Sequence, residues 1–137
     1  CCLSKRQVLP VEIDDTTSAL FELQSGITGT IGTLFATPSN SLLRIYGTRG
    51  LIEAKNEFSE VSFQDDGELC ENMLIQPSNT LAAELSGFCD ACEGHEAYPV
   101  TADEAIRNVA IIEAMSSSSK QMGEWMNISG LLKKGAV

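Results

Sequence analysis

A chain of 137 residues, 43% of them hydrophobic, can bury one real core and needs no disulfide framework or metal to hold it together. Its net charge of −10 and pI near 4.4 make an acidic surface, which disfavours the phosphate contacts of nucleic-acid binding and excludes nucleic acid as an expected partner. The longest apolar runs, such as Val109-Ala110-Ile111-Ile112, are too short to span a bilayer, and nothing has a signal peptide's charged start and apolar middle, so a soluble cytoplasmic protein with no membrane partner is expected.

The chain opens at Cys1-Cys2 without an initiator methionine and reads as a piece of something longer. Leu3 to Leu9 has strand character, with a partner expected upstream. A loop through Pro10 and Asp14-Asp15 follows, where the acidic pair reads as a solvated turn-former. From Thr16 to Ile52 the residues are nearly all strand-forming, with Glu22, Arg44 and Arg49 as the only charges. Thr17 to Leu23 turns at Ser25-Gly26 and Ile27 to Ala36 runs back. After Thr37-Pro38-Ser39-Asn40, Leu42 to Tyr46 and Leu51 to Ala54 pair around Gly47-Thr48-Arg49-Gly50. Phe58 to Phe63 and Leu69 to Ile75 complete the sheet around Asp65-Asp66-Gly67.

After Pro77 the apolar period lengthens toward 3.6. Leu81, Leu85, Phe88 and Cys92 share a helical stripe, Asn79 is the N-cap, and the helix ends near Gly94. Thr101-x-x-Glu104 is a capping box opening a second helix that runs to about Met122. The small residues Ala105, Ala110 and Ala114 on its apolar face suit close packing on a sheet. Trp125, near Met122 and Met126, reads as a packing anchor, within the chain or at a domain or subunit contact. The fold class expected is α+β: an open, mainly antiparallel β-sheet with helices packed on one face, in a single domain over residues 1–137.

Five cysteines without a secretory pattern point to reduced thiols, with Cys70, Cys89 and Cys92 expected to be buried and inert. Cys89-x-x-Cys92-x-x-His95 has too few ligands for a tetrahedral site and lies in a helix, so no metal is expected. A thiol-redox motif would sit at a helix N-terminus after a strand, which this one does not. His95 reads as a solvated loop residue. No G-x-G-x-x-G and no P-loop occurs, so neither NAD nor NADP should be held by this chain alone.

Three segments in this order carry a resemblance: Ser25-Gly26-Ile27-Thr28-Gly29-Thr30-Ile31, the pair Ile45-Tyr46-Gly47-Thr48-Arg49-Gly50-Leu51-Ile52-Glu53-Ala54, and the helix with Glu104-Ala105, Glu113-Ala114, Ser119 and Gly123. With Asp15 they span roughly residues 14–128, and together they resemble the C-terminal domain of the Gfo/Idh/MocA oxidoreductases. The resemblance implies an NAD(P)-dependent enzyme acting on a sugar, cyclitol or related hydroxy compound when full length. It implies an N-terminal Rossmann domain as partner, a homo-oligomer formed through the open sheet face, and an inactive fragment. The family's catalytic Lys, Asp and His have no counterpart here, and His95 does not fall at the catalytic position, so no catalytic or cofactor-binding residue is assigned. By the same resemblance Thr37, Ser39 and Asn40 are candidate contacts to a small-molecule substrate, beside their reading as ordinary turn residues. A stand-alone, non-enzymatic binding or assembly module is the competing reading, and a small metal or thiol protein built on Cys89, Cys92 and His95 a third.

Overall fold

The structure, a computed structural model, describes residues 1–66 and 68–129, and at Leu69 and Cys70 the backbone alone. The elements follow in the order β1 (Cys2–Lys5), β2 (Thr16–Glu22), β3 (Thr28–Leu34), β4 (Leu42–Gly47), β5 (Gly50–Lys55), β6 (Glu60–Asp65), β7 (Glu68–Leu74), α1 (Thr80–Glu93) and α2 (Ala102–Lys120). This is the expected α+β class, with the strands in two antiparallel ladders, β1-β2-β3 and β4-β5-β6-β7. The chain divides into two compact units: Cys1–Ala36 with the chain from Ala97 onward, and Thr37–Glu96.

In the first unit, β1 pairs with β2 (Cys2↔Ala19 to Lys5↔Thr16) and β2 with β3 (Thr16↔Leu34 to Glu22↔Thr28). Among the described residues the partner of the first strand is β2, downstream of it, and the strand stops at Lys5 rather than Leu9. α2 packs against β1. Apart from Asp15, the buried residues described in this unit are small, Cys2, Ala19, Ala110, Ala114 and Ser118, which lets helix and sheet approach closely. Two helix serines stitch the contact. The Ser118 hydroxyl accepts from the Cys2 N–H at 2.8 Å and donates to the Glu124 carbonyl at 2.6 Å, while Ser119 Oγ accepts from the Ser4 N–H at 2.9 Å. They supply acceptors to strand donors that would otherwise be lost in a buried contact.

In the second unit β4 pairs with β5 around the turn at Gly47 and Gly50, β5 with β6, and β6 with β7, with an irregularity between Phe63 and Gln64. Gly50 has φ +145°, and a Cβ there would lie 2.1 Å from the Gln64 carbonyl oxygen, so both conformation and space demand glycine. β6 begins two residues later than expected because Asn56, Glu57 and Phe58 all have positive φ and form the turn. α1 starts at an N-cap, Asn79, whose side chain accepts from the Ala82 N–H at 3.0 Å, and ends on Gly94 at φ +78°. No side chain along α1 is buried, and among the described residues no helix is long and apolar enough to cross a membrane.

Candidate functional site

Strand alternation gives the sheet of the second unit two chemically different faces. Register places Arg44 opposite Glu53, Glu53 opposite Ser62 and Ser62 opposite Asn72, a polar row running across all four strands. Lys55 lies opposite Glu60 in the adjacent row. Glu53 is 7% exposed because its two oxygens take the Arg44 Nε and the Lys55 ammonium, one each. Those cations, Lys55 first, hold its carboxyl below the usual carboxylate range, and Glu53 in turn raises Arg44. Glu53, Lys55, Glu60, Ser62, Gln64 and Asn72 line a shallow concavity of about 200 Å³ on this face. The opposite face is mainly apolar: Leu43, Ile45, Ile52, Ala54, Val61, Phe63 and Met73 alternate with the polar set, and Glu71 stands among them opposite Phe63.

Thr37, Ser39 and Asn40 lie exposed on the irregular segment between β3 and β4. None of the three lines the concavity. Their side chains are accessible to a ligand, and Pro38 among them fixes its own φ and stiffens the connection.

Asp15 departs from the sequence expectation. Only 3% exposed, it accepts from the backbone N–H groups of Leu9 (2.7 Å), Val8 (2.8 Å) and Gln7 (2.9 Å) and from the Thr16 hydroxyl (3.0 Å). The Leu9 bond first, then Gln7 and Val8, hold its carboxyl far below the usual carboxylate range. It is a buried clasp that turns the chain out of β1, and not a solvated turn-former. An acidic residue six to eight positions after the N–H groups it holds is too loose a signal to have revealed it.

The cysteines also depart from expectation. Cys89 and Cys92 are exposed free thiols on α1, not buried ones, in keeping with a helix along which no residue is buried. Cys70's side chain lies outside the described residues. His95 is exposed, with Nδ1 3.4 Å from Glu93 Oε2 and 3.8 Å from Asp90 Oδ1. Among the described residues no group of three or more His, Cys, Asp or Glu is placed to hold a metal ion. Trp125, expected to anchor packing, is more than half exposed.

A dinucleotide would need a helix N-terminus free to receive its pyrophosphate. The N-terminus of α2 already holds an anion. Glu104 Oε2 accepts from the Thr101 N–H at 2.8 Å and Thr101 Oγ1 accepts from the Glu104 N–H at 3.2 Å. α1 has its own cap in Asn79, and every described strand pair is antiparallel, without the parallel β–α–β unit of a dinucleotide fold. The described residues do not fit a nicotinamide dinucleotide.

Against this geometry, proteins of known sequence and structure align with most of the chain. A D-xylose 1-dehydrogenase (NADP+) of Haloferax volcanii is 25% identical over 115 residues, 79% of this chain and 35% of that enzyme. A protein of Desulfitobacterium hafniense named for NADPH-dependent oxidoreductase activity superposes on 95% of this chain at a TM-score of 0.79 and 18% identity. An Agrobacterium radiobacter oxidoreductase, solved with NAD+, L-tartaric acid and magnesium, covers 95% at a TM-score of 0.78 and 18% identity. This is an oxidoreductase-like fold. No protein-family model matches the chain. The chain spans 35% of the curated relative and 41% and 43% of the two solved structures.

Proposed function

We propose that the chain is the C-terminal, substrate-side domain of an NAD(P)-dependent oxidoreductase of the Gfo/Idh/MocA family, acting on a sugar, cyclitol or related hydroxy compound. The observation that carries this reading is the match to the xylose dehydrogenase, which runs through most of this chain yet through only 35% of that enzyme. The remaining length of such an enzyme is where a Rossmann domain would sit. The Ser25–Ile31 turn, the Ile45–Ala54 strand pair and the Glu104–Gly123 helix support the family.

In this reading the missing domain holds the nicotinamide, which supplies hydride transfer when bound. The present residues shape and bury the other side of the substrate, with Thr37, Ser39 and Asn40 offering hydroxyl and amide groups to a polyhydroxylated ligand. Holding the reacting carbon close to the hydride donor is the larger part of such catalysis, and it requires both domains.

The test is to express the open reading frame containing Cys1 to Val137 in full and follow reduction of NAD+ and NADP+ with a panel of sugars and cyclitols. Turnover that falls in the Thr37→Ala, Ser39→Ala and Asn40→Ala variants through a raised KM supports the reading. A frame with no glycine-rich strand-to-helix turn, or no turnover with any hydroxylated substrate, overturns it.

A further inference from the structure

Cys89 and Cys92 are the two exposed free thiols among the described residues, and the function proposed above does not use them. They stand three residues apart in the last turns of α1, so helix geometry places them on one face with Cβ atoms about 5–6 Å apart. The helix end holds that separation. The Gly94 N–H donates to the Ala91 carbonyl at 3.2 Å and the His95 N–H to the Asp90 carbonyl at 2.9 Å, two carbonyls that lie between the cysteines. A disulfide needs its Cβ atoms at about 3.5–4.5 Å, so closing one here would pull that turn inward and break these cap bonds. A single bridging atom fits better. A metal–thiolate bond is about 2.3 Å long, so a linear S–metal–S unit holds its sulfurs about 4.6 Å apart, which the pair reaches by leaning slightly together.

We infer that Cys89 and Cys92 form a two-coordinate dithiolate site for the soft monovalent cation Cu(I). Of the metals that thiolates select, zinc and iron–sulfur clusters need further ligands, and the described residues bring no third His, Cys, Asp or Glu into a set with this pair. His95, the nearest histidine in sequence, faces carboxylates instead, with Nδ1 toward Glu93 and Asp90. Magnesium and calcium take oxygen ligands, which two sulfurs do not supply. On binding, two S–H bonds break and two S–Cu bonds form. Both protons go to water and copper stays monovalent, so no oxidant or reductant takes part. The sulfurs are reached without opening the fold, because both residues are exposed.

The experiment is an anaerobic titration of the full, reduced chain against the coloured bicinchoninate complex of Cu(I), with zinc chloride as the comparison. One Cu(I) per chain should pass from the complex to the protein, and the far-ultraviolet helix signal should stay unchanged as it does. Cys89→Ser and Cys92→Ser should each abolish the transfer, while Cys1→Ser and His95→Ala leave it intact. Both helix cysteines are exposed, so their serine variants keep the fold, which the same helix signal checks. Transfer that survives in either of these variants, or that is lost with Cys1→Ser or His95→Ala, would overturn the inference. So would zinc bound at one per chain, one copper shared between two chains, helix lost on loading, or no transfer at all. Copper uptake needs no cofactor and no turnover, so its failure and the failure of the oxidoreductase reading are told apart.

Discussion

Asp15 shows how one side chain can order a loop. Its two carboxylate oxygens hold three consecutive backbone N–H groups, Gln7 to Leu9, and its own backbone is tied into the sheet, with its N–H on the Lys5 carbonyl and its carbonyl accepting from the Phe35 N–H. The folded-state pKa lies below the unfolded value, so the clasp's stabilisation is fully present above the ordinary aspartate range near ~4 and is lost as pH falls through the depressed folded value. Thermal unfolding followed from neutral pH downward should show a falling Tm below that range. Asp15→Asn should lower Tm by several degrees at neutral pH and flatten part of the acid dependence, since an amide keeps one acceptor oxygen and gains a donor facing three donors; an unchanged acid profile would refute the clasp. Ser118 is the second residue whose role lay beyond local reading. The 116-residue separation between its hydroxyl and the Cys2 N–H leaves no trace in any periodicity. Ser118→Ala strands a buried N–H and a carbonyl, and should cost about 1–3 kcal/mol in denaturant unfolding, where a change well under 1 kcal/mol would show that water replaces the hydroxyl.

At the scale of elements, turn chemistry made the order of strands and helices legible. Most strand ends were read to within about two residues, because Gly, Pro, Asn and Asp punctuate the alternation and because Asn79 and the Thr101–Glu104 pair announce both helix starts. What failed was tertiary in origin. The Leu3–Leu9 run has strand composition throughout, yet Asp15 pulls its second half out of the ladder. The Cys92 stripe has helical period, yet no residue along α1 is buried. Gly50 joins the two levels, since the hairpin signal Gly-Thr-Arg-Gly was visible in the sequence while the approach of Gln64 from β6 was not. Gly50→Ala must accept φ +145° and displace a strand carbonyl, so it should destabilise by more than about 1 kcal/mol and broaden amide signals of β5 and β6 together. A neutral substitution would mean that β5 and β6 do not approach as described.

At the scale of the whole molecule the question is what covers the apolar strand faces. Leu43, Ile45, Ile52 and Met73 share one face of the second unit, and each is more than two-fifths exposed. In the first unit Phe21 and Ile31 are exposed on one face of the ladder and Leu20 and Leu34 on the other. The apolar face of the second unit is of a kind that marks a contact, and a symmetric contact between copies, sheet face to sheet face, is the simplest closed arrangement. Charge works against it, because each copy brings −10. Salt screens that repulsion over distances of about 10 Å at 0.1 M and leaves apolar burial intact, so association should strengthen as salt is raised, opposite to an interface held by ion pairs. Light scattering coupled to size exclusion at micromolar concentration should give a mass of at least twice 14.7 kDa at moderate salt, drifting toward the monomer at low salt. Ile45→Glu, at an exposed position on the apolar face, should return it to the monomer without unfolding the chain. A constant 14.7 kDa across all salt concentrations would eliminate a second copy as the cover and leave a further domain of the same protein as the group that buries this face.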